Sequence, residues 1–194
     1  MHFELLRATP NKWVEVVFKD FDSFLSDHAS SEKKASGMAL SVAAHYPDKP
    51  KIVSAMVDLA VEELSHYRQV IHLILSRGLH PGPDSQDTYV KKLNSAIRRG
   101  PDFFLIARLL IGGIIEKRGS ERFSLVAQKF AQTEPTISHF YTTITASEER
   151  HYSLFLELAL DACGNEAELF DRLKELLELE ANLIEELPTR AALH

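Results

Sequence analysis

Two Glu-x-x-His motifs occur in this 194-residue chain, Glu63-Leu64-Ser65-His66 and Glu148-Glu149-Arg150-His151. On a helix, residues three apart share a face, so each motif aims a carboxylate and an imidazole the same way. A lone glutamate precedes each motif at a matched distance: Glu32 lies 31 residues before Glu63, and Glu116 lies 32 before Glu148. The half-sites repeat with an offset of 84 or 85 residues, Glu32 to Glu116, Glu63 to Glu148 and His66 to His151. Helices delivering Glu, Glu-x-x-His, Glu and Glu-x-x-His inward supply the ligand set of a carboxylate-bridged two-metal site. Oxygen and imidazole donors without thiolate select iron or manganese over structural zinc. By bundle logic, Glu32 and Glu116 are terminal carboxylates, Glu63 and Glu148 bridge, and His66 and His151 each ligate one ion. Four carboxylates and two neutral imidazoles balance two divalent cations, which makes their burial tolerable. The shared ligands leave positions open for dioxygen or water.

A single such motif is ordinarily a surface pair; the doubling with matched glutamates carries the argument. Other polar residues nearby have plainer readings. Glu62 and Glu149 adjoin the ligands and point about 100° away. Glu121, five residues past Glu116, lies on another face and reads as structural. His28, His45, His72 and His139 lack matching carboxylate partners and read as surface or core histidines. Tyr67 and Tyr152 follow the two ligand histidines and read as packing aromatics. Gly112 and Gly113 sit one turn before Glu116. A glycine pair inside a helix sacrifices up to ~1 kcal/mol per residue. Either α-helices approach closely there, or the missing side chains leave room above the metals for a substrate.

The elements that must position these residues are helical throughout. Thr9-Pro10 reads as an N-cap and first helical residue. A helix from about Pro10 to Ser26 buries Trp13, Val16, Val17, Phe21, Phe24 and Leu25. A second, from Asp27 or Ser30 to His45, carries Glu32. After Tyr46-Pro47-Asp48, with Asp48 as a cap, a long helix from Pro50 to Arg77 carries Glu63 and His66 and closes at Gly78. Pro81, Gly82 and Pro83 mark a loop. A short helix covers Asp87 to Ile97. Gly100-Pro101 opens a long helix to about Gln132 with Glu116. Pro135 opens the next, to Cys163, with Glu148 and His151, closed by Gly164. Asn165 caps a last helix to Leu187 whose acidic face reads as solvated. No strand pattern appears, so the expectation is one all-α domain over residues 1–194, a four-helix bundle with additional N- and C-terminal helices.

Length and composition agree with a single domain holding a substantial core. The one cysteine, Cys163, excludes an intramolecular disulfide and Cys-rich metal knuckles, and fits a reducing cytoplasm. No apolar signal-peptide core stands at the N-terminus. The longest apolar stretch, Phe103 to Ile115, is broken by Arg108 and too short to span a bilayer. Net charge is −6, against nucleic-acid binding by bulk charge alone. With the four site glutamates cancelled by metal, the remainder is −2, and basic clusters are free to form a local patch.

Four segments together resemble one family, the MiaE-type tRNA hydroxylases, within the wider ferritin-like superfamily. They are Asp27-His28-Ala29-Ser30-Ser31-Glu32-Lys33-Lys34-Ala35, Glu62-Glu63-Leu64-Ser65-His66-Tyr67, Ile115-Glu116-Lys117-Arg118-Gly119-Ser120-Glu121-Arg122-Phe123 and Ser147-Glu148-Glu149-Arg150-His151-Tyr152. The likeness runs from about Phe24 to Ala159. Gly119-Ser120 departs from the family's Ser-Cys without touching the ligands. The resemblance implies a non-haem di-iron monooxygenase with two iron ions and dioxygen as co-substrate. Its implied substrate is 2-methylthio-isopentenyladenosine beside the anticodon of tRNA, hydroxylated on the isopentenyl chain. It also implies an external electron donor, a reductase or ferredoxin, a cytoplasmic setting, no membrane, and a monomer or small homo-oligomer. With the family in view, Lys91, Lys92, Arg98 and Arg99 form the best candidate tRNA contact. The other basic pairs, Lys33-Lys34 and Lys117-Arg118, read as solvated faces. The rival readings are other ferritin-like dimetal proteins: a peroxidase or manganese catalase, or an iron-storage protein. A rubredoxin module would need four cysteines, which this chain lacks.

Overall fold

A computed structural model of the chain describes residues 2–84, 86–97 and 100–194. Among the described residues there are seven helices and no strand. They are α1 (Asn11–Lys19), α2 (Phe21–His45), α3 (Pro50–Ser76), α4 (Thr88–Ser95), α5 (Pro101–Phe130), α6 (Pro135–Cys163) and α7 (Glu166–Glu186). The chain divides into two compact units. One comprises Glu15–Ser85 with Arg190–Leu193; the other comprises Met1–Val14, Gln86–Thr189 and His194. No helix is long and apolar enough to cross a membrane.

In the first unit, α2 packs along α3 after a short connection, as antiparallel neighbours do. Their contact is apolar, with Phe24, Leu25, Ala39 and Val42 from α2 and Met56, Leu59, Val70 and Ile74 from α3 all buried. Ser36 Oγ donates to the Ala60 carbonyl at 2.8 Å, a close crossing point between the helices. The helix break expected near Asp27 or Ser30 stands instead at Asp20. There the Asp20 carboxylate accepts from the Ser23 amide and caps α2. Asp27 and Ser30 are engaged elsewhere. Asp27 accepts the Leu193 amide at 2.7 Å, and Ser30 donates to Asp84 at 3.0 Å. Asp48 does not cap α3 either; Lys49 holds the cap position without a side-chain bond, and Pro50 starts the helix.

In the second unit α5 pairs with α6, while α4 and α7 pack on them. Pro135 opens α6, and Gly164, at φ 65°, closes it where a side chain would be strained. Asp87 caps α4 and Asn165 caps α7, both as the sequence suggests. Two expectations fail here for one reason. Arg118 is not on a solvated face, and α7 does not leave its whole acidic face in water. Arg118 is fully buried, donating to both Glu180 carboxylate oxygens at 2.8 and 3.0 Å, to the Arg7 carbonyl at 2.7 Å, and to Glu121. Glu180 is equally buried and also accepts from Tyr89. Thr9, expected to cap the first helix, donates to Glu121 through both its amide and hydroxyl. A buried guanidinium must satisfy its donors locally, and the N-terminal segment supplies acceptors. Burial would lower the Arg118 pKa, but Glu180 overcomes it and the pKa is raised. Arg122, under burial and beside Arg118, falls to about 10 and lies over the Trp13 ring. Glu121 is structural, as its position on another face suggests.

Candidate metal centre

The α2–α3 pair brings one half-set together. Glu32, Glu63 and His66 are all buried, with ligand atoms within 4.8 Å of one another. His66 Nδ1 lies 3.7 Å from Glu32 Oε2 and 3.7 Å from Glu63 Oε2. The α5–α6 pair does the same for Glu116, Glu148 and His151. His151 Nδ1 lies 4.0 Å from one oxygen of each carboxylate, and all three residues are buried. Each triad therefore presents two carboxylates and one imidazole to a common point. Glu62 and Glu149 point elsewhere: Glu149 is exposed and Glu62 half-buried.

The electrostatics of the first triad are those of a site waiting for positive charge. Burial disfavours the Glu32 carboxylate, yet hydrogen bonds from His28 and His66 outweigh it and hold its pKa well below the usual range. Burial alone would push His66 down; hydrogen bonding and charge from Glu32 and Glu63 instead raise it to about 10. Without a metal, a proton on the imidazole does part of the neutralising that a cation would do. This is the fit expected of buried oxygen and nitrogen donors for a divalent ion.

His28 is the residue that sequence reasoning missed. Read as lacking a carboxylate partner, it is fully buried with Nε2 2.6 Å from Glu32 Oε1. The signal was present: His28 and Glu32 are four apart on one helix. His45, His72 and His139 are exposed, as expected. Tyr152 is more than a packing aromatic. Its hydroxyl lies 2.6 Å from His2 Nδ1, and Lys117 Nζ lies 4.5 Å from its ring centroid.

Gly112 and Gly113 face the α5–α6 contact. A Cβ on Gly112 would lie 2.8 Å from Phe155 Cε1, and one on Gly113 would lie 3.3 Å from Phe155 Cβ. Phe155 is fully buried and takes the room that the glycines leave. Close helix approach thus accounts for their missing side chains. Gly119 sits beside the ligand set, 3.6 Å from its ideal Cβ position to Glu148 Oε2. Lys91 and Lys92 are exposed at the surface of α4, with Lys92 Nζ 3.4 Å from Glu186 Oε2. Arg98 and Arg99 lie outside the described residues.

Comparison with known proteins agrees with this arrangement. The family model described as tRNA-(MS2IO6A)-hydroxylase (MiaE) matches residues 1–194. A tRNA 2-(methylsulfanyl)-N(6)-isopentenyladenosine(37) hydroxylase of Pseudomonas putida is 34% identical over 161 residues, 83% of this chain and 77% of that protein. The enzyme of the same name from Salmonella typhimurium is 31% identical over 134 residues, 69% of this chain and 48% of its own length. A solved structure, protein 43 with aldehyde deformylating oxygenase activity from Synechococcus, matches 98% of this chain and 93% of its own. Its TM-score is 0.91 at 32% identity. With the family model matched along all 194 residues and relatives above 30% identity in two bacteria, the chain belongs to the MiaE family of tRNA hydroxylases and is an all-α oxidoreductase of the ferritin-like class.

Proposed function

We propose that the two triads together hold two iron ions. Glu32 and Glu116 would be terminal ligands, Glu63 and Glu148 bridging ligands, and His66 and His151 one imidazole on each ion. The chain then hydroxylates the isopentenyl side chain of 2-methylthio-isopentenyladenosine next to the anticodon in tRNA. Dioxygen is the co-substrate, and an external donor, a reductase or ferredoxin, supplies two electrons. The balance is one C–H bond and dioxygen, with two electrons and two protons, giving one alcohol and one water. The observation that carries this reading is the doubled, buried Glu/Glu/His triad in a chain whose relatives bear that enzyme's name. The oxygenase activity named for the Synechococcus relative supports dioxygen chemistry on this scaffold.

When bound, a pair of ferrous ions supplies the reductive activation of dioxygen. The protein's own groups do the rest. The four carboxylates neutralise the ions and keep the site's net charge near zero. His66, which carries a proton without metal, releases it as the ion enters. Glu32 stays ionised while buried, because His28 donates to it. Gly112 and Gly113 contribute by admitting Phe155, so that α5 and α6 come close enough to hold Glu116, Glu148 and His151 in one triad. On the surface, Lys91 and Lys92, with Arg98 and Arg99, would meet tRNA phosphates. The setting is the cytoplasm, where the substrate resides.

Mass spectrometry of tRNA nucleosides tests this. Purified protein loaded with ferrous iron, given a reductant and isotopically labelled dioxygen, should add one labelled oxygen atom to the isopentenyl nucleoside of substrate tRNA. Rapid peroxide turnover without nucleoside oxidation would favour the peroxidase or catalase reading. A large hollow oligomer that accumulates iron without substrate oxidation would favour storage.

A further inference from the structure

The 84-residue repeat exposes a difference between the two triads. Four residues before Glu32 stands His28, and four before Glu116 stands Gly112. Four residues after His66 stands Val70, and four after His151 stands Phe155. One half therefore places a ring on its first helix and a small side chain on its second. The other half does the reverse, with Phe155 taking the space above Gly112. Volume is filled both times, but the chemistry differs. Beside Glu32 the ring is a fully buried imidazole whose Nε2 lies 2.6 Å from Oε1. Around Gly112 the ring is a hydrocarbon.

We infer that His28 is a positioning residue that makes the two metal positions unequal: by holding Glu32 Oε1, it fixes that carboxylate to present Oε2 on the His66 side, so the ion bound by Glu32 and His66 is the tighter one. The geometry supports each part. Glu32 Oε1 is engaged by His28, while Oε2 is the oxygen that lies 3.7 Å from His66 Nδ1. A ligand already held in its binding orientation loses less conformational freedom when the ion arrives. Hydrogen bonds of this kind to ligands commonly change metal affinity by about 10–100-fold. No histidine stands one turn before Glu116, so the α5–α6 triad lacks this particular constraint. The inference rests on the proposed dimetal reading, and the experiment separates the failure of each.

The test is a titration of the metal-free full chain with Co2+, followed by visible absorption, with melting temperature measured in parallel. The wild type should take two ions in two resolvable steps. His28→Phe keeps a buried ring and removes the donor; the first step should weaken by about 10–100-fold, and the second should stay within a few-fold. His28→Gln retains an amide donor and should recover much of the first step. Two equal steps in the wild type would overturn the inference. So would unchanged binding in His28→Phe, or equal weakening of both steps, or failure of His28→Gln to bind better than His28→Phe at similar melting temperature. If both variants fail to fold, the wild-type titration still decides, because equal steps alone refute inequality. A wild type that binds no Co2+ at all would instead refute the dimetal reading beneath it.

Discussion

Replacing Gly112 and Gly37 by alanine is one chemical change in two environments. Both glycines lie inside long helices, so each substitution gains up to ~1 kcal/mol of helix propensity. At Gly37, exposed on α2, nothing lies within 4 Å of the new Cβ. At Gly112 the new Cβ would lie 2.8 Å from Phe155 Cε1 and 2.9 Å from Cζ, closer than carbon atoms tolerate. Phe155 is fully buried, so its ring has no free volume to enter. Overpacking of this kind destabilises by ~1–3 kcal/mol. Gly37→Ala should therefore stabilise by about 0.4–1 kcal/mol. Gly112→Ala should be destabilising by roughly 0–2 kcal/mol, the steric loss less the propensity gain. At ~2–4 °C per kcal/mol for a chain of this length, the two melting temperatures should separate by about 2–12 °C. Circular-dichroism melts at identical metal load measure this directly. In a Phe155→Leu background the separation should shrink, because the atoms in conflict are gone; the coupling should be ~0.5–3 kcal/mol. If Gly112→Ala raises the melting temperature as much as Gly37→Ala does, Phe155 does not fill that space. The glycines would then be open to the alternative, a substrate volume at this turn.

Other outcomes follow from the same contacts. Glu148→Ala should lose bound metal and hydroxylation together, checked by metal analysis beside the nucleoside assay; activity retained at low metal content would refute its bridging role. For metal-free protein, His66 is raised from 6.5 to about 10. Its stabilisation is complete below pH 6.5 and lost as pH rises through 10, while the Glu32 contribution is present above 4.5 and lost as pH falls. The melting-temperature gap between wild type and His66→Gln should accordingly shrink from pH 6.5 to about 10. Arg118→Met strands the buried Glu180 and should destabilise by ~3–5 kcal/mol, with part recovered in Arg118→Met/Glu180→Leu; denaturant melts check both. Reversing Lys91 and Lys92 to glutamate should weaken tRNA binding and lower its salt slope by ~1 per lost phosphate contact; an unchanged slope would remove these lysines from the interface.

Much of this protein is legible in its sequence because the informative signals are local. Helix spacing alone selects Glu32, Glu63, His66, Glu116, Glu148 and His151, and the structure places them in two buried triads. Pro50, Pro135, Gly164 and Asn165 mark element ends correctly, since each acts through its own backbone or the next turn. The helix break at Asp20 was misjudged because Asp20, Asp27 and Ser30 are similar capping candidates. Only the distant partners Leu193 and Asp84 show that the latter two are otherwise engaged. Arg118 and Glu180 are 62 residues apart, so no window of sequence pairs them. Read singly, each is a surface charge. His28 is a different case: its partner is four residues away, but a search for carboxylate–histidine motifs in one order passes over the reverse order.

The unit that contains Arg118 is interrupted in the chain by residues 15–85. A ribosome finishes the α2–α3 hairpin early. The segment around Arg7 and Thr9 must then wait for Arg118, 109 residues after Thr9, and for Glu180 in the last helix. At ~5–20 residues per second, the delay from Thr9 to Glu180 is on the order of ten to thirty seconds. Through that interval the N-terminal segment has no guanidinium to clasp and stays open to proteases and chaperones. Synthesis of α7 is therefore the event that sews the N-terminus in place, and nascent chains halted before Glu180 should remain cleavable at residues 7–9 after the hairpin has become resistant.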